Sequence, residues 1–287
     1  MNSTIQRRSK FIALTLPVMI VVAWIVVGRG TRVPERLPTA EIAGLPPQAS
    51  AFVEIPSGTY YLGENSVSPL ESTRSASVEL PSFVMQRHEV TNAEFQAFVN
   101  ATGYISTAEQ TGEGHVFVAT EDQWLAVPGA NWRHPRGPDS SIAGKNNHPV
   151  VQVSFHDARA YAKWSERRLP TEAEWIAAVR RGGEKLGGGN TFQGWYPLKD
   201  SADDGYAGTA PVGSYPPNGY GLHDMSGNVR EWCSSSEQDP KSEGTSAVRR
   251  GSFWLSLGDG DKILEVRDES TPQWSDDTTG FRCAADR

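Results

Sequence analysis

The stretch GLHDMSGNVREW, from Gly221 to Trp232, decides how the rest of the chain is read. Its Asp224, Gly227, Val229 and Glu231 are spaced so that two carboxylates and two backbone carbonyls can converge on one hard cation, and Ca2+ takes mixed oxygen ligands of that kind. The alternative is a polar hairpin in which Ser226, Gly227 and Asn228 make the turn while Val229 and Trp232 enter the core.

The surrounding composition suits a domain of short elements and long ordered loops rather than a helical bundle, because Gly 28, Pro 19 and Trp 9 supply turn formers and large aromatics. Without its first segment the chain keeps about 240 residues, near the upper limit for one hydrophobic core, so a single domain is expected. Arg7, Arg8 and Lys10 precede an apolar run from Phe11 to Gly28 that only Thr15 and Pro17 interrupt. That pattern marks residues 1–36 as a signal peptide or N-terminal membrane anchor and the chain as exported. No small-x-small cleavage site follows Ala23, which favours the anchor, and Phe11 lies one residue too late for a twin-arginine signal. Residues 37–51 read as a proline-rich linker and residues 52–287 as the domain. Removing the first 36 residues takes away six bases and one acid, so the net charge of −7 becomes −12. A surface that acidic excludes nucleic acid as a partner and welcomes cations.

Three helices are expected. Thr91-Asn92-Ala93-Glu94 forms a capping box ahead of Phe95, Phe98 and Val99, with Gly103 as the stop. Ser154 to Asp157 caps a second helix carrying Tyr161 and Trp164. Pro170-Thr171-Glu172-Ala173-Glu174 starts a third, with Trp175, Ala178 and Val179 on one face and Gly182-Gly183 at its end. Phe52 to Gly63 reads as a first strand and turn, and loops and short strands are expected from Gly187 onward. Between the first two helices, Thr107 to Gly144 shows little periodicity but carries Trp124, Trp132, His134 and Arg136, so it reads as a long ordered loop lining a cleft, with Trp132 and His134 contacting substrate. The competing expectation is that Trp132 and His134 pin the loop to the core.

Blocks in one order carry a resemblance: FVEIPSGTYYLG from Phe52, HEVTNAEF from His88, GANWRHPRGPDS from Gly129, HPVVQVSFHDARAYAKW from His148, RLPTEAEW from Arg168, PPNGYGLHDMSGNVREW from Pro216, RRGSFW from Arg249 and GFRCAAD from Gly280. Together they resemble the formylglycine-generating enzyme (sulfatase-modifying factor) family from Phe52 to the C-terminus. The resemblance implies an α+β domain of the formylglycine-generating-enzyme fold, a C-type-lectin-like variant with short strands, a few helices and long ordered loops. It also implies a second structural calcium site at Asn190, Thr191, Asp204 and Tyr206, through two side chains and two carbonyls, although Asp203-Asp204-Gly205 is also an ordinary turn.

The chain departs from the family where the chemistry should be. Two family cysteines hold copper(I), which needs soft thiolates, and their positions are matched approximately by Leu255 and Asp259. The additional helical domain that supplies iron ligands in another branch is absent, and the six histidines show no HxxxH or facial-triad spacing. The expected cofactor is therefore structural Ca2+, with no copper or iron. The family's usual disulfide partner for Cys283 falls at Ala162, which leaves Cys233 and Cys283 free to pair or not.

What the cleft retains is Ser252, Arg267 and a newly placed acid, Glu265, read as the hydroxyl, positioning arginine and base of an active site, with Trp254 beside them for substrate. An ion pair of Glu265 with a neighbouring arginine is the plainer alternative. Among exported members lacking the cysteine pair, the chain resembles those that mature the pyoverdine siderophore. That implies a periplasmic oxidoreductase acting on a peptide-borne dihydro chromophore, with an inner-membrane tether and other siderophore maturation proteins as partners. A non-catalytic binding or envelope scaffold protein is the rival reading. A formylglycine-generating oxidase is disfavoured by the missing cysteine pair.

Overall fold

Among the described residues the helix starts are reciprocal hydrogen-bond boxes, and the computed structural model shows them closed. It describes residues 51–62, 77–180, 189–234, 246–257 and 266–287, all within one unit, Ile42–Arg287. Helix α1 (Asn92–Thr102) begins where the Thr91 hydroxyl accepts from the Glu94 N–H and the Glu94 carboxylate accepts from the Thr91 N–H, and it stops at Gly103, whose φ is 69°. Helices α3 (Phe155–Trp164) and α4 (Glu172–Arg180) start the same way on Ser154/Asp157 and Thr171/Glu174. Gly182 and Gly183, the expected stop of α4, lie outside the described residues.

The segment from Thr107 to Gly144 is more structured than its sequence suggests. It opens with a one-turn helix α2 (Thr107–Thr111), boxed by Ser106 and Glu109, and continues as a hairpin of β5 (Glu113–Val118) and β6 (Gln123–Pro128). The long-loop expectation therefore holds only from Gly129 onward. The overlooked signals are the Ser106/Glu109 spacing and two short apolar runs flanking Ala119 to Asp122.

Two sheets organise the remainder. Strands β1 (Phe52–Ile55), β4 (Phe83–Gln86) and β13 (Ala284–Asp286) pair antiparallel in the order β1-β4-β13, so β4 is the central strand and carries β1 on one side and the C-terminal β13 on the other. Strands β9 (Arg230–Cys233), β10 (Ala247–Arg250), β11 (Arg267–Ser270) and β12 (Thr279–Gly280) form the order β11-β10-β9-β12, with β9 and β12 parallel. Two small hairpins complete the set, β2 (Gly58–Tyr61) with β3 (Ser77–Leu80) and β7 (Gly194–Trp195) with β8 (Lys199–Asp200).

The core is divided. One cluster packs α1 against α3 through Phe95, Phe98 and Tyr161, with Trp132, Trp232 and Phe281 filling the space between them and the second sheet. A second lays α4 on the first sheet through Trp175, Ile176, Ile55, Phe83 and Met85. Trp132, Trp175 and Trp232 are all sealed from solvent, and truncating such an indole costs roughly 3–5 kcal/mol. The two cysteines fall one in each cluster and are both free. Among the described residues no helix is long and apolar enough to cross a membrane, and residues 11–28 lie outside them.

Candidate functional site

The stretch from Gly221 to Trp232 is not a hairpin. It runs as an irregular loop with Asp224 and Asn228 at φ 59° and 61°, and enters β9 at Arg230. Gly227 sits at φ 118° directly against Asn190, and a Cβ there would collide with the Asn190 backbone. Asn228 donates its N–H to the Asn190 carbonyl at 2.8 Å, and Asn190 Nδ2 donates to Asn228 Oδ1 at 3.2 Å. The two candidate cation loops are thus back to back.

Each loop contains a buried oxygen without a hydrogen-bond partner. In the first loop it is Asn190 Oδ1. Asp204 stands nearby, its two oxygens accepting the Thr191 and Tyr206 N–H groups at 3.0 and 3.2 Å, so the four expected ligand residues are drawn together. In the second loop it is Asp224 Oδ1, while Oδ2 accepts the Gly213 N–H at 2.6 Å. Glu231 is differently placed. Arg282 donates from Nε to Glu231 Oε2 at 2.8 Å and from Nη2 to Oε1 at 2.7 Å, and Trp175 Nε1 donates to Oε2 at 2.9 Å.

A residue that sequence reasoning missed completes this second cluster. Glu89 is fully buried, accepts from Asn228 Nδ2 at 3.1 Å through Oε1, and leaves Oε2 unpartnered. Burial first, then Asp224 and Glu231, push its pKa well above the usual carboxylate range, against the pull of Arg282. Asp224 is raised too, again mainly by burial. The one available sequence signal for Glu89 was an acid wedged between His88 and Val90 just ahead of a helix. Three carboxylates thus share one guanidinium, an arrangement that attracts a further cation. Among the described residues no group of three or more His, Cys, Asp or Glu side chains forms a metal-holding cluster by itself, so a cation here depends on carbonyl oxygens as well. The residues fit calcium in oxygen chemistry, with Asn190 Oδ1 and Asp224 Oδ1 as the bare acceptors, whereas the Glu231 carboxylate, an expected ligand, is already engaged by Arg282 and Trp175.

The expected copper position is apolar. Leu255 is buried against Phe117 and Phe192, with Trp124, Phe253 and Trp254 half-buried around them. Aliphatic carbon offers copper(I) no ligand, and Asp259 lies outside the described residues. Both cysteines are buried, and burial pushes their thiols upward, away from the thiolate that copper(I) requires.

The cation loops position this aromatic wall. The Trp254 N–H donates to the Asn228 carbonyl at 3.0 Å, and the Phe192 N–H, two residues from Asn190, donates to the Ser256 carbonyl at 2.9 Å. Ser252 is buried with its hydroxyl unpartnered. Arg267 is committed elsewhere: Nε donates to Glu172 at 2.7 Å and Nη1 pairs with Glu269. Glu172 also receives Arg250. Glu265, the expected base, lies outside the described residues. Trp132 does not line the cleft, since it is wholly buried with its edge against Phe95, and its indole N–H donates to Glu109 at 3.3 Å. His134 pins its own turn through Nδ1 and the Ser140 carbonyl, 2.6 Å apart. The pinning alternative describes both residues, because the 129–140 loop needs internal partners more than it has surface to offer.

An α+β frame of short strands, a few helices and long ordered loops defines the class of sulfatase-modifying-factor domains. The chain belongs to that family: the sulfatase-modifying factor enzyme 1-like domain matches residues 39–287. It is 39% identical to the formylglycine-generating enzyme of Mus musculus, over 82% of this chain and 75% of the relative. It is 37% identical to the inactive C-alpha-formylglycine-generating enzyme 2 of the same organism, over 83% of this chain and 86% of the relative. In structure it is similar to PvdO from Pseudomonas aeruginosa, with a TM-score of 0.62 and 24% identity, over 84% of this chain and 96% of the other; that likeness concerns the fold.

Proposed function

We propose that this protein is a periplasmic oxidoreductase that acts on an electron-rich aromatic carried by a peptide, the dihydro chromophore of a pyoverdine-type siderophore precursor. The observation that carries the reading is Leu255, which fills the copper-thiolate position with aliphatic carbon while the surrounding rings of Trp124, Phe253 and Trp254 form a wall suited to a flat aromatic. Dihydroaromatic and catechol-like compounds give up electrons to dioxygen once deprotonated, so the protein need only bind, orient and deprotonate its substrate. The substrate loses two electrons and two protons, and dioxygen takes both pairs to become hydrogen peroxide. Ser252, with its free hydroxyl, would hold a substrate polar atom. Structural calcium would be held by Asn190, Thr191, Asp204 and Tyr206, and by Asp224 with the Gly227 and Val229 carbonyls, while Glu231 stays paired with Arg282; the ion's part is to fix the loops on which Trp254 and Phe192 depend. The N-terminal segment would tether the domain to the inner membrane, near other siderophore maturation proteins.

The test is metabolite profiling of a deletion strain. The reading requires accumulation of a precursor two mass units heavier than the product, restored to product by the wild-type chain. A deletion strain with unaltered metabolites removes it. The second reading, a non-catalytic binding protein, is favoured by the commitment of Arg267 to Glu172 and Glu269, which engages its Nε and Nη1 before any substrate arrives. Peptide binding without turnover in the purified chain would establish it.

A further inference from the structure

Asp276 and Asp277 are adjacent in the loop before β12 and have opposite surroundings. Asp276 accepts from Arg230, Arg249, Trp274 and Thr278; burial alone would raise its pKa, but the two guanidiniums hold it at about 2. Asp277 is 4% exposed, and neither carboxylate oxygen has a hydrogen-bond partner. Its ion-pair contact is Arg136 Nη1 at 3.6 Å, from an exposed side chain whose Nη2 is tethered to the Phe117 carbonyl at 3.2 Å. The N–H groups of Phe117 and of Asp277 itself lie near enough to favour the charged form without closing a hydrogen bond.

A buried carboxylate with both oxygens bare costs free energy, so its retention asks for a partner that the chain does not supply. The neighbours indicate what that partner is. The Asp277 carbonyl accepts from Trp254 Nε1 at 3.1 Å, and its N–H donates to the His115 carbonyl at 3.3 Å. Arg230, which senses the Asp277 charge, stacks over Phe253 at 4.3 Å and reaches Trp124 at 5.6 Å. Asp277 therefore adjoins the aromatic wall that surrounds Leu255 through Trp254, with Arg136 as its ion-pair contact.

We propose that Asp277 is the acid–base group of this cleft and takes the proton from a ring hydroxyl of a catechol-class ligand. The O–H bond breaks, the proton passes to an Asp277 oxygen, the electron pair stays on the phenolate, and Arg136 stabilises that new anion. This deepens the aromatic-substrate reading above and rests on it, but the proton transfer itself needs no oxidant. Burial, with Asp276 adding repulsion against the pull of Arg136, lifts the Asp277 pKa to about 7, where a general base is most effective.

The charged and titratable groups facing Asp277 are Arg136 from the 129–140 loop, Arg230 on β9 and Asp276 beside it, and β5 contributes the His115 carbonyl. The test uses the full chain with 4-methylcatechol as probe, following binding by tryptophan fluorescence from about pH 5.5 to about 8.5 and oxygen uptake in parallel. Wild-type affinity should rise as pH passes through about 7. Asp277→Asn should bind roughly tenfold more weakly at the upper end, with a flat profile. Arg136→Ala removes the opposing cation and should move the profile to higher pH, which a purely structural Asp277 would not do; this variant decides the matter if Asp277→Asn fails to fold. His115→Gln should keep the wild-type profile. The inference is overturned if the wild type binds no catechol, if both variants keep the wild-type profile, or if Glu265→Gln flattens it while Asp277→Asn does not. Binding with the expected profile but no oxygen uptake preserves the site and removes the oxidase reading; uptake that survives intact in Asp277→Asn does the reverse.

Discussion

Arg282 and Glu231 form a fully buried two-point ion pair, 2.8 and 2.7 Å, that joins the C-terminal GFRC block to the first strand of the second sheet. The same guanidinium donates to the carbonyls of Gln86, Arg87 and His223, so one side chain binds β4, β9 and the cation loop together. Burying such a pair gains little over an apolar substitute, but halving it leaves an uncompensated charge. Arg282→Ala should therefore lose about 3–5 kcal/mol of folding free energy, measured by urea denaturation. A loss no larger than that of an average surface substitution would show that water or a cation compensates Glu231.

Calcium should raise the thermal midpoint by on the order of 5–10 °C at saturation, because an ion bound only by the folded chain stabilises it by mass action. Asn190→Ala and Asp204→Ala should each remove most of this shift, and Asp224→Ala part of it. A midpoint indifferent to EGTA in the wild type would count against both loops.

Copper should have no high-affinity site. Titration of copper(I) against a competing chelator should show no stoichiometric binding by the native chain, and Leu255→Ala should leave that unchanged, since the position carries no donor in either form. One tightly held equivalent would reverse the reading.

Stability should fall as pH rises from about 4.5 towards 7 through Glu94. Its buried carboxyl titrates at about 7 in the folded chain, raised mainly by burial, against an ordinary value of 4.5. Between these values the folded state holds a proton that the unfolded state has lost, so the Glu94 contribution is full below the unfolded pKa and lost by the folded one, at up to about 1.4 kcal/mol per pH unit. Glu94→Gln should flatten that part of the profile in urea midpoints taken at about pH 5 and about pH 7.5. An identical slope in both proteins would assign the effect to other groups.

The architecture was largely legible because its signals are local and redundant. Thr91/Glu94, Ser154/Asp157 and Thr171/Glu174 each announce a helix within four residues, and the aromatic spacing behind them states which face is buried. The site was legible only in part. Arg267 reads as available in sequence, but its partner Glu172 lies 95 positions away at the start of α4. Trp132 looked like a cleft residue because nothing local reveals that Phe95 will claim its edge. Glu89 and Asp277 stayed hidden for the converse reason: a bare carboxylate is defined by the partners it lacks, and absent partners leave no pattern in a sequence.

The interred, unpaired thiols bear on how the protein comes to be made. A fold that crosslinks nothing does not depend on disulfide-forming oxidoreductases, and the domain should assemble equally well in a reducing and in an oxidising medium. Its surface offers no native sulfur nucleophile, so a single cysteine introduced at Trp195, which is 72% exposed, would be the one labelling handle on the folded chain.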